Sequence, residues 1–303
     1  MNISKLISEH KIFKKKPILL LHIGSAGSSF KLWNNISHNS ILVSIDGNNS
    51  SNSFKKFKKV INNESIISDK NVSGKFYITN DPHCSSILEP DKLIHKNWYG
   101  SHRFKINKVI NKKMYTLNSF LKKEKLDYID WLVTDIQGKD LDVIKSLKKN
   151  IRNNISIVEI ETGFFSFYKK SDTITDVFNF MSKEYEFKDM EFGINFKTSS
   201  KNMSKFDKRI LFSLDNPSKI YSNINFLNKK EKKERINLLK LIYLIENNKI
   251  FEAKQYLNKI SYNNLFYKQL NKKIESLILN RKIKYILLSP LILIKKILNI
   301  IFY

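Results

Sequence analysis

Cysteine occurs once, at Cys84, so the chain can form no internal disulfide and no cysteine-based zinc site. A reducing, cytoplasmic compartment is the expectation. Alanine is almost missing, with only Ala26 and Ala253, and glycine is held to eight residues. Arginine supplies just five of the 54 basic residues (Arg103, Arg152, Arg209, Arg235, Arg281). Lysine, asparagine and isoleucine stand in their place, the pattern of an AT-rich coding sequence. The net charge of +26 is therefore a poor pointer to nucleic acid, because arginine is the residue whose planar fork reads phosphate and guanine. Long apolar runs are also lacking. Ile18 to Ile23 is too short for a signal-peptide core. The lysine-free stretch Tyr285 to Ile294 contains Pro290 and falls well short of the ~20 residues that span a bilayer.

What is present suffices for a folded core: 42% hydrophobic residues, among them 21 Phe and 13 Tyr. Short apolar runs alternate with helical patterns. Ile18 to Ile23 and Ile41 to Ile45 read as buried strands, with Ser29 to Ile36 a helix between them. Shorter strands are expected at Ser65 to Ser68 and Lys75 to Ile78, then a helix over Leu117 to Lys125 capped by Thr116 or Asn118. A strand from Trp131 to Thr134, a turn at Asp135 to Gly138 and a helix with Leu141, Ile144 and Leu147 on one face come next. Strand Ile155 to Ile160, helix Thr173 to Tyr185 and strand Ile210 to Leu214 complete the alternation, which predicts an α/β fold with a mostly parallel sheet covered on both sides. Beyond Asp215 the pattern turns helical and lysine-rich, and Pro217 marks a boundary. The expected organisation is a basic lead-in over 1–16, a principal domain over 17–215, a helical appendage over 216–280 and a tail over 281–303.

The stretch LLLHIGSAGSSF, Leu19 to Phe30, spends two of the scarce glycines, Gly24 and Gly27, at the end of the first strand. Lacking a Cβ, they let a ligand approach the backbone, and a helix that follows offers free N–H groups. Asp46 lies 22 residues past Gly24, at the end of the next strand, where a carboxylate can accept hydrogen bonds from ribose hydroxyls. In a parallel sheet, ligands bind outside the carboxyl ends of the strands, which puts this stretch, Asp46, Asp135 and Glu159 along one crevice.

HCSSILEPD (His83 to Asp91), TLNSFLKKEKLDYIDWLVTDIQGKDLDVIKSL (Thr116 to Leu147) and IVEIETGFFSFYKKSDTITDVFNFM (Ile157 to Met181), taken with the glycine loop, resemble the FkbM family of S-adenosylmethionine-dependent methyltransferases. The shared features are a serine pair before a proline, an Asp-x-(Glu or Gln)-Gly turn followed by an acidic-Leu helix, and a Val-Glu strand, in order over about Pro17 to Asp215. The resemblance implies a Rossmann-like class I methyltransferase fold with a seven-stranded sheet. Its implied cofactor is S-adenosyl-L-methionine, with Gly24, Ala26 and Gly27 facing the methionine part, Asp46 the ribose, and Ser68 and Asp69 near the adenine. It further implies an O-methyltransferase whose acceptor is a hydroxyl of a sugar, glycan or related small molecule.

Candidates for removing the acceptor's proton are Asp135, Glu159 and His83; Glu161 shares a face with Glu159 in a regular strand. Family members usually carry an acid at the position of His22, where it supports the methionine amino group of the cofactor. Its replacement leaves open a second class, a non-catalytic protein with a methyltransferase fold and an assembly role. From Arg281 onward the chain has no acidic residue, and wound as a helix it shows a narrow polar stripe of Ser289, Lys295, Lys296 and Asn299. That profile suits an anionic membrane surface, and with it a peripheral position at the inner face of the membrane, or docking on protein. Asn80-Asp81-Pro82-His83 does not match the Pro-Pro-Tyr signature of base-flipping amino methylation, so nucleic acid is not the expected partner. No metal-ligand spacing is present.

Overall fold

The computed structural model describes residues 2–25, 31–47, 54, 56–92, 101–163, 166–192, 221–229, 233–260, 265–281 and 283; for 191–192, 221–226 and 228 only the backbone is described. The chain forms two compact units, one of residues 16–230 and one of residues 1–15 with 231–303.

The larger unit is built on a seven-stranded sheet. Its strands are β1 (Ile18–Ile23), β2 (Ser40–Ile45), β3 (Lys59–Asn63), β7 (Trp131–Thr134), β8 (Ile157–Gly163), β9 (Tyr185–Phe192) and β10 (Tyr221–Asn228), in spatial order β3-β2-β1-β7-β8-β10-β9. The first five in that order are mutually parallel. β10 runs antiparallel between β8 and β9. The sheet is thus mostly parallel, with one reversed strand. Every residue of β1 and β7 is buried, as expected of central parallel strands that read as continuous apolar runs. β3, sequence KVINN, has a polar edge and exposed lysine, the usual protection of a boundary strand.

Alternation along the strands sends Leu19, Leu21, Ile23, Val43, Ile45, Leu132, Val158 and Ile160 into one core. They meet α3 (Leu117–Lys123), α4 (Asp140–Ser146) and α6 (Ile174–Met181) through Leu117, Phe120, Leu121, Leu141, Ile144, Val177 and Met181. Thr116 caps α3, its hydroxyl accepting from the Ser119 N–H, and Thr173 with Asp176 forms a capping box on α6. The short α5 (Lys149–Arg152) leads from α4 into β8. On the opposite face Trp33 stands edge-on to both Trp131 and His22, with ring centroids 6.0 Å apart in each pair. A second, three-stranded sheet places β6 (Ile106–Thr116) between β4 (Ile66–Ser68) and β5 (Val72–Thr79).

The smaller unit is helical. It contains α1 (Ile3–Ser8), α2 (Lys11–Lys15), α7 (Glu234–Glu246), α8 (Ile250–Lys259) and a further helix over 265–281. α1 and α8 both pack on α7. Inside it Asn237 accepts from the Tyr256 hydroxyl at 2.7 Å, and the His10 ring lies 4.5 Å from that of Phe266. No helix among the described residues is long and apolar enough to cross a membrane.

Three readings of the sequence differ from this fold. Within its described part, 31–36, the helix expected over Ser29 to Ile36 is a single 3-10 turn, Lys31–Trp33, and a second, Ser37–Asn39, follows it. The Ser37 hydroxyl turns back to the Asn34 carbonyl and competes with the helical ladder. Strands β3, β6, β9 and β10 carry no clear strand signal in the sequence, because lysine and asparagine dilute their alternation. β10 in particular lies at 221–228, in the stretch assigned to the helical appendage, and the compact unit runs to residue 230. The expected strand Ile210 to Leu214, the boundary proline Pro217 and the tail, Arg281 and Ile283 excepted, lie outside the described residues.

Candidate functional site

The carboxyl ends of β2, β1, β7 and β8 lie side by side, and the backbone stitches them together. Gly24 donates its N–H to the Ile45 carbonyl at 2.8 Å, and Asp135 donates to the Ile23 carbonyl at 2.9 Å. Gly24 has φ +79°, and a Cβ there would stand 1.8 Å from the Asp135 carbonyl oxygen. Only glycine allows β1 to leave the sheet so close to the next strand's exit. Beside it the buried hydroxyls of Ser25 and Ser44 are 2.7 Å apart.

Asp46 follows β2 at once, half-buried, with its N–H on the Asn63 carbonyl at 3.0 Å. A Cβ on Gly47 would lie 3.3 Å from Ile66 Cγ1, so the turn after β2 rests on β4. This contact carries the end of β4 to the same edge. There the buried Ser68 donates its hydroxyl to Asp69 at 3.0 Å. Gly24 and Asp46 thus follow neighbouring strands, β1 and β2, and Ser68 and Asp69 stand at the end of β4, whose start meets the turn after β2. Ala26 and Gly27 lie outside the described residues. His22 is buried in mid-β1, paired in register with Ser44 and Val133.

The other half of the rim is a closed polar net. One step beyond the last β7–β8 pair, Thr134 with Ile160, the chain places Asp135 opposite Glu161. Between them sits Gln137, whose side-chain N–H groups donate to Asp135 at 2.6 Å and to Glu161 at 2.7 Å. Gln137 takes a left-handed φ of +60°, uncommon for a residue with a side chain. Its carbonyl accepts from the Ser86 hydroxyl at 2.8 Å. The Tyr168 hydroxyl lies 2.9 Å from its Oε1 and 2.8 Å from the Cys84 carbonyl. Asp140, at the start of α4, accepts from the N–H groups of Ile136 and Gly138 and so closes the turn. A small recess opens here, lined by Gln137, Glu161, Phe167, Tyr168, Ser171 and Asp172 among others.

Electrostatics follow from this crowding. Burial pushes the Glu161 carboxyl well above the usual range, and the neighbouring Asp135, Asp140 and Cys84 press the same way. Burial also lifts Asp140 to about 7, helped by Asp135 and opposed by its two backbone donors and the Thr134 hydroxyl. The Cys84 thiol is pushed up to about 12 by burial. Glu161 therefore holds its proton at acidities where an isolated carboxylate would be ionised.

Of the candidate proton acceptors, Asp135 stands in this net. Glu159 is buried in mid-strand, in register with Val133 and Asn225, whereas Glu161, two residues on, reaches the turn. His83 is exposed in a 3-10 turn, where Asp81 accepts its N–H at 3.0 Å. From that loop it is Ser86 that touches the turn. Tyr168 and Asp140 had not been singled out from the sequence: nothing in GFFSFYKK separates one aromatic from the next, and Asp140 looked like an ordinary residue of a helix's first turn.

Residues 41–188 match the family model described as Methyltransferase FkbM domain. No curated protein and no solved structure matches the chain. The matched segment runs from β2 to β9 and contains Asp46, Ser68, Asp135, Gln137, Glu161 and Tyr168.

Proposed function

We propose that this chain, whose residues 41–188 match the FkbM methyltransferase domain, moves a methyl group from S-adenosylmethionine to a hydroxyl of a sugar or glycan-related acceptor. The observation that carries the reading is the net of Asp135, Gln137 and Glu161 at the mouth of a recess, next to a glycine-opened strand end. The residues present suit the cofactor at its nucleoside end. Asp46 stands half-buried on the rim where ribose hydroxyls would need an acceptor, and Ser68 and Asp69 flank it across the Gly47–Ile66 contact. The cofactor supplies a methyl group already activated on a sulfonium, so little covalent help is asked of the protein. What remains for its residues is to hold the acceptor in line and to take its proton. Asp135 is the carboxylate suited to that task. The buried Phe167 and Tyr168 form the apolar wall of the recess, and Ser171, Asp172 and Gln137 bring polar groups to it, the mixture expected of a small-molecule pocket.

His22 favours a second reading, a methyltransferase fold that has lost transfer activity, since the acid usual at this position is replaced by a ring lodged edge-on against Trp33. One titration separates the two. Calorimetry of the purified protein with S-adenosylmethionine and S-adenosylhomocysteine should give micromolar binding that Asp46→Ala weakens at least tenfold. Folded protein that binds neither would sink the transfer reading.

A further inference from the structure

We propose that Gln137 is a positioning residue of the transfer site, clamping Asp135 against Glu161 so that the pair shares one proton and Asp135 is the member that accepts the proton of the acceptor hydroxyl. This rests on the transfer reading above. The argument starts from geometry. An amide has two N–H groups and one oxygen, and here all three are committed: the nitrogen to Asp135 at 2.6 Å and Glu161 at 2.7 Å, the oxygen toward the Tyr168 hydroxyl at 2.9 Å. Tyr168 thereby decides which end of the amide faces the carboxylates. The backbone of Gln137 is held in its left-handed conformation by Ser86 from the neighbouring loop. Four segments of chain thus converge to hold one side chain between two carboxylates.

An amide is the group suited to this position. A lysine would pair with both carboxylates as ions and abolish the shared proton; the glutamate that the turn motif also admits would need a proton of its own to donate to either. Gln137 donates without carrying charge, so it brings the two acids together and leaves their proton count to burial and mutual repulsion. Among the described residues, burial, Asp135, Asp140 and Cys84 all press the Glu161 carboxyl toward the protonated form. Glu161 is therefore the member that keeps the shared proton, and Asp135, on the turn, is the one left to accept another. In the transfer, the acceptor oxygen forms the new bond to the methyl carbon, the carbon–sulfur bond breaks with its electron pair going to sulfur, and the hydroxyl proton passes to Asp135. The pair then holds two protons, and one returns to solvent before the next turnover.

The test is a carbon-13 carboxyl titration of the full-length protein without cofactor, run on the wild type, Gln137→Met and Glu161→Gln. The wild type should show two coupled steps, one of them well above the ordinary carboxylate range. Gln137→Met removes both donors from the doubly ionised pair and should move the upper step higher by about one pH unit, with the acid limb of kcat/KM moving the same way. Read at the Asp135 carboxyl, Glu161→Gln should leave a single step, while the separate raised step of Asp140 stays. If Gln137→Met lowers stability or rate while the steps and the pH profile stay in place, Gln137 is merely structural and the proposal is overturned. Two steps that survive at the Asp135 carboxyl in Glu161→Gln overturn it too. Because the titration needs no cofactor, coupled steps that respond as expected in a protein that binds no S-adenosylmethionine support the clamp and overturn the transfer instead.

Discussion

The two halves of the sheet's carboxyl rim are built on opposite plans. At β1 and β2 the rim is backbone brought close to backbone: Gly24 against the Asp135 carbonyl, Gly47 against Ile66, and a half-buried Asp46 between them. At β7 and β8 it is side chain bound to side chain, with Gln137 committed on both ends and Asp140 closing the turn. The first plan leaves room for a ligand to supply the missing contacts. The second supplies them internally and fixes charge and proton in advance, as general-base work requires. Carboxylates accumulate in the second half, where Asp135, Glu161 and Asp140 crowd together.

Substitutions that distinguish close approach from mere proximity should break this contrast most. Gly24→Ala drives a methyl to within 1.8 Å of a backbone oxygen at a left-handed φ, and should cost about 3 kcal/mol by denaturant unfolding. Gly47→Ala meets only a flexible isoleucine end at 3.3 Å, and a loss of about 0.5 kcal/mol or less is expected. Equal losses at the two positions would show that the strand ends are not fixed as described. Asp46→Ala should leave stability within about 0.5 kcal/mol of wild type while weakening the cofactor at least tenfold, a separation of binding from folding that thermal unfolding and calorimetry together would read.

How much of this was legible beforehand differs along the same rim. The β1 and β2 half was readable, because paucity makes glycine conspicuous and an acid at the end of a buried strand stands out. So were the central strands, whose apolar runs exceed anything a surface segment would carry. The outer strands were not: Lys and Asn occupy so many positions that the alternation of β6 or β9 does not rise above the chain's composition. In the β7 and β8 half, Asp135 announced itself through the turn motif, but the clamp depends on Tyr168 and Ser86 arriving from segments 31 and 51 residues away from Gln137. Such convergence is a property of topology. Local pattern fixes the strand that carries Glu161, yet only the register of β8 on β7 decides that Glu161, and not Glu159, faces the turn.

The second half of the rim also stores a pH dependence. Asp140 is lifted from the ordinary carboxylate range to about 7, first by burial and then by the charge of Asp135. A carboxyl with a raised folded-state pKa binds more protons folded than unfolded between about 4 and about 7. Its contribution to stability is therefore complete below that window and is lost as pH rises through it. Glu161 acts in the same direction. Denaturant unfolding at pH 5 and pH 7.5 should show the wild type less stable at the higher pH. Asp140→Asn keeps one acceptor for the turn's two N–H groups, so it should begin less stable at pH 5 and lose less on the way up. A variant as steep as wild type would assign the dependence to Glu161 and leave Asp140 a plain cap.

The smallest effect expected is on Cys84, and it probes the seam between the clamp and the loop behind it. With its thiol pushed up to about 12 by burial, almost no thiolate exists at pH 8, and the thiolate is the reactive form. The native protein should resist iodoacetamide over hours at that pH and react fully once unfolded. The Cys84 carbonyl lies 2.8 Å from the Tyr168 hydroxyl, so Tyr168→Phe loosens the loop at this point and also releases the Gln137 oxygen. Alkylation that speeds up in Tyr168→Phe without a matching fall in global stability would trace opening of this seam alone. Alkylation that tracks global unfolding in both proteins would mean that loop and clamp open only with the whole sheet, making the second half of the rim as rigid as the core beneath it.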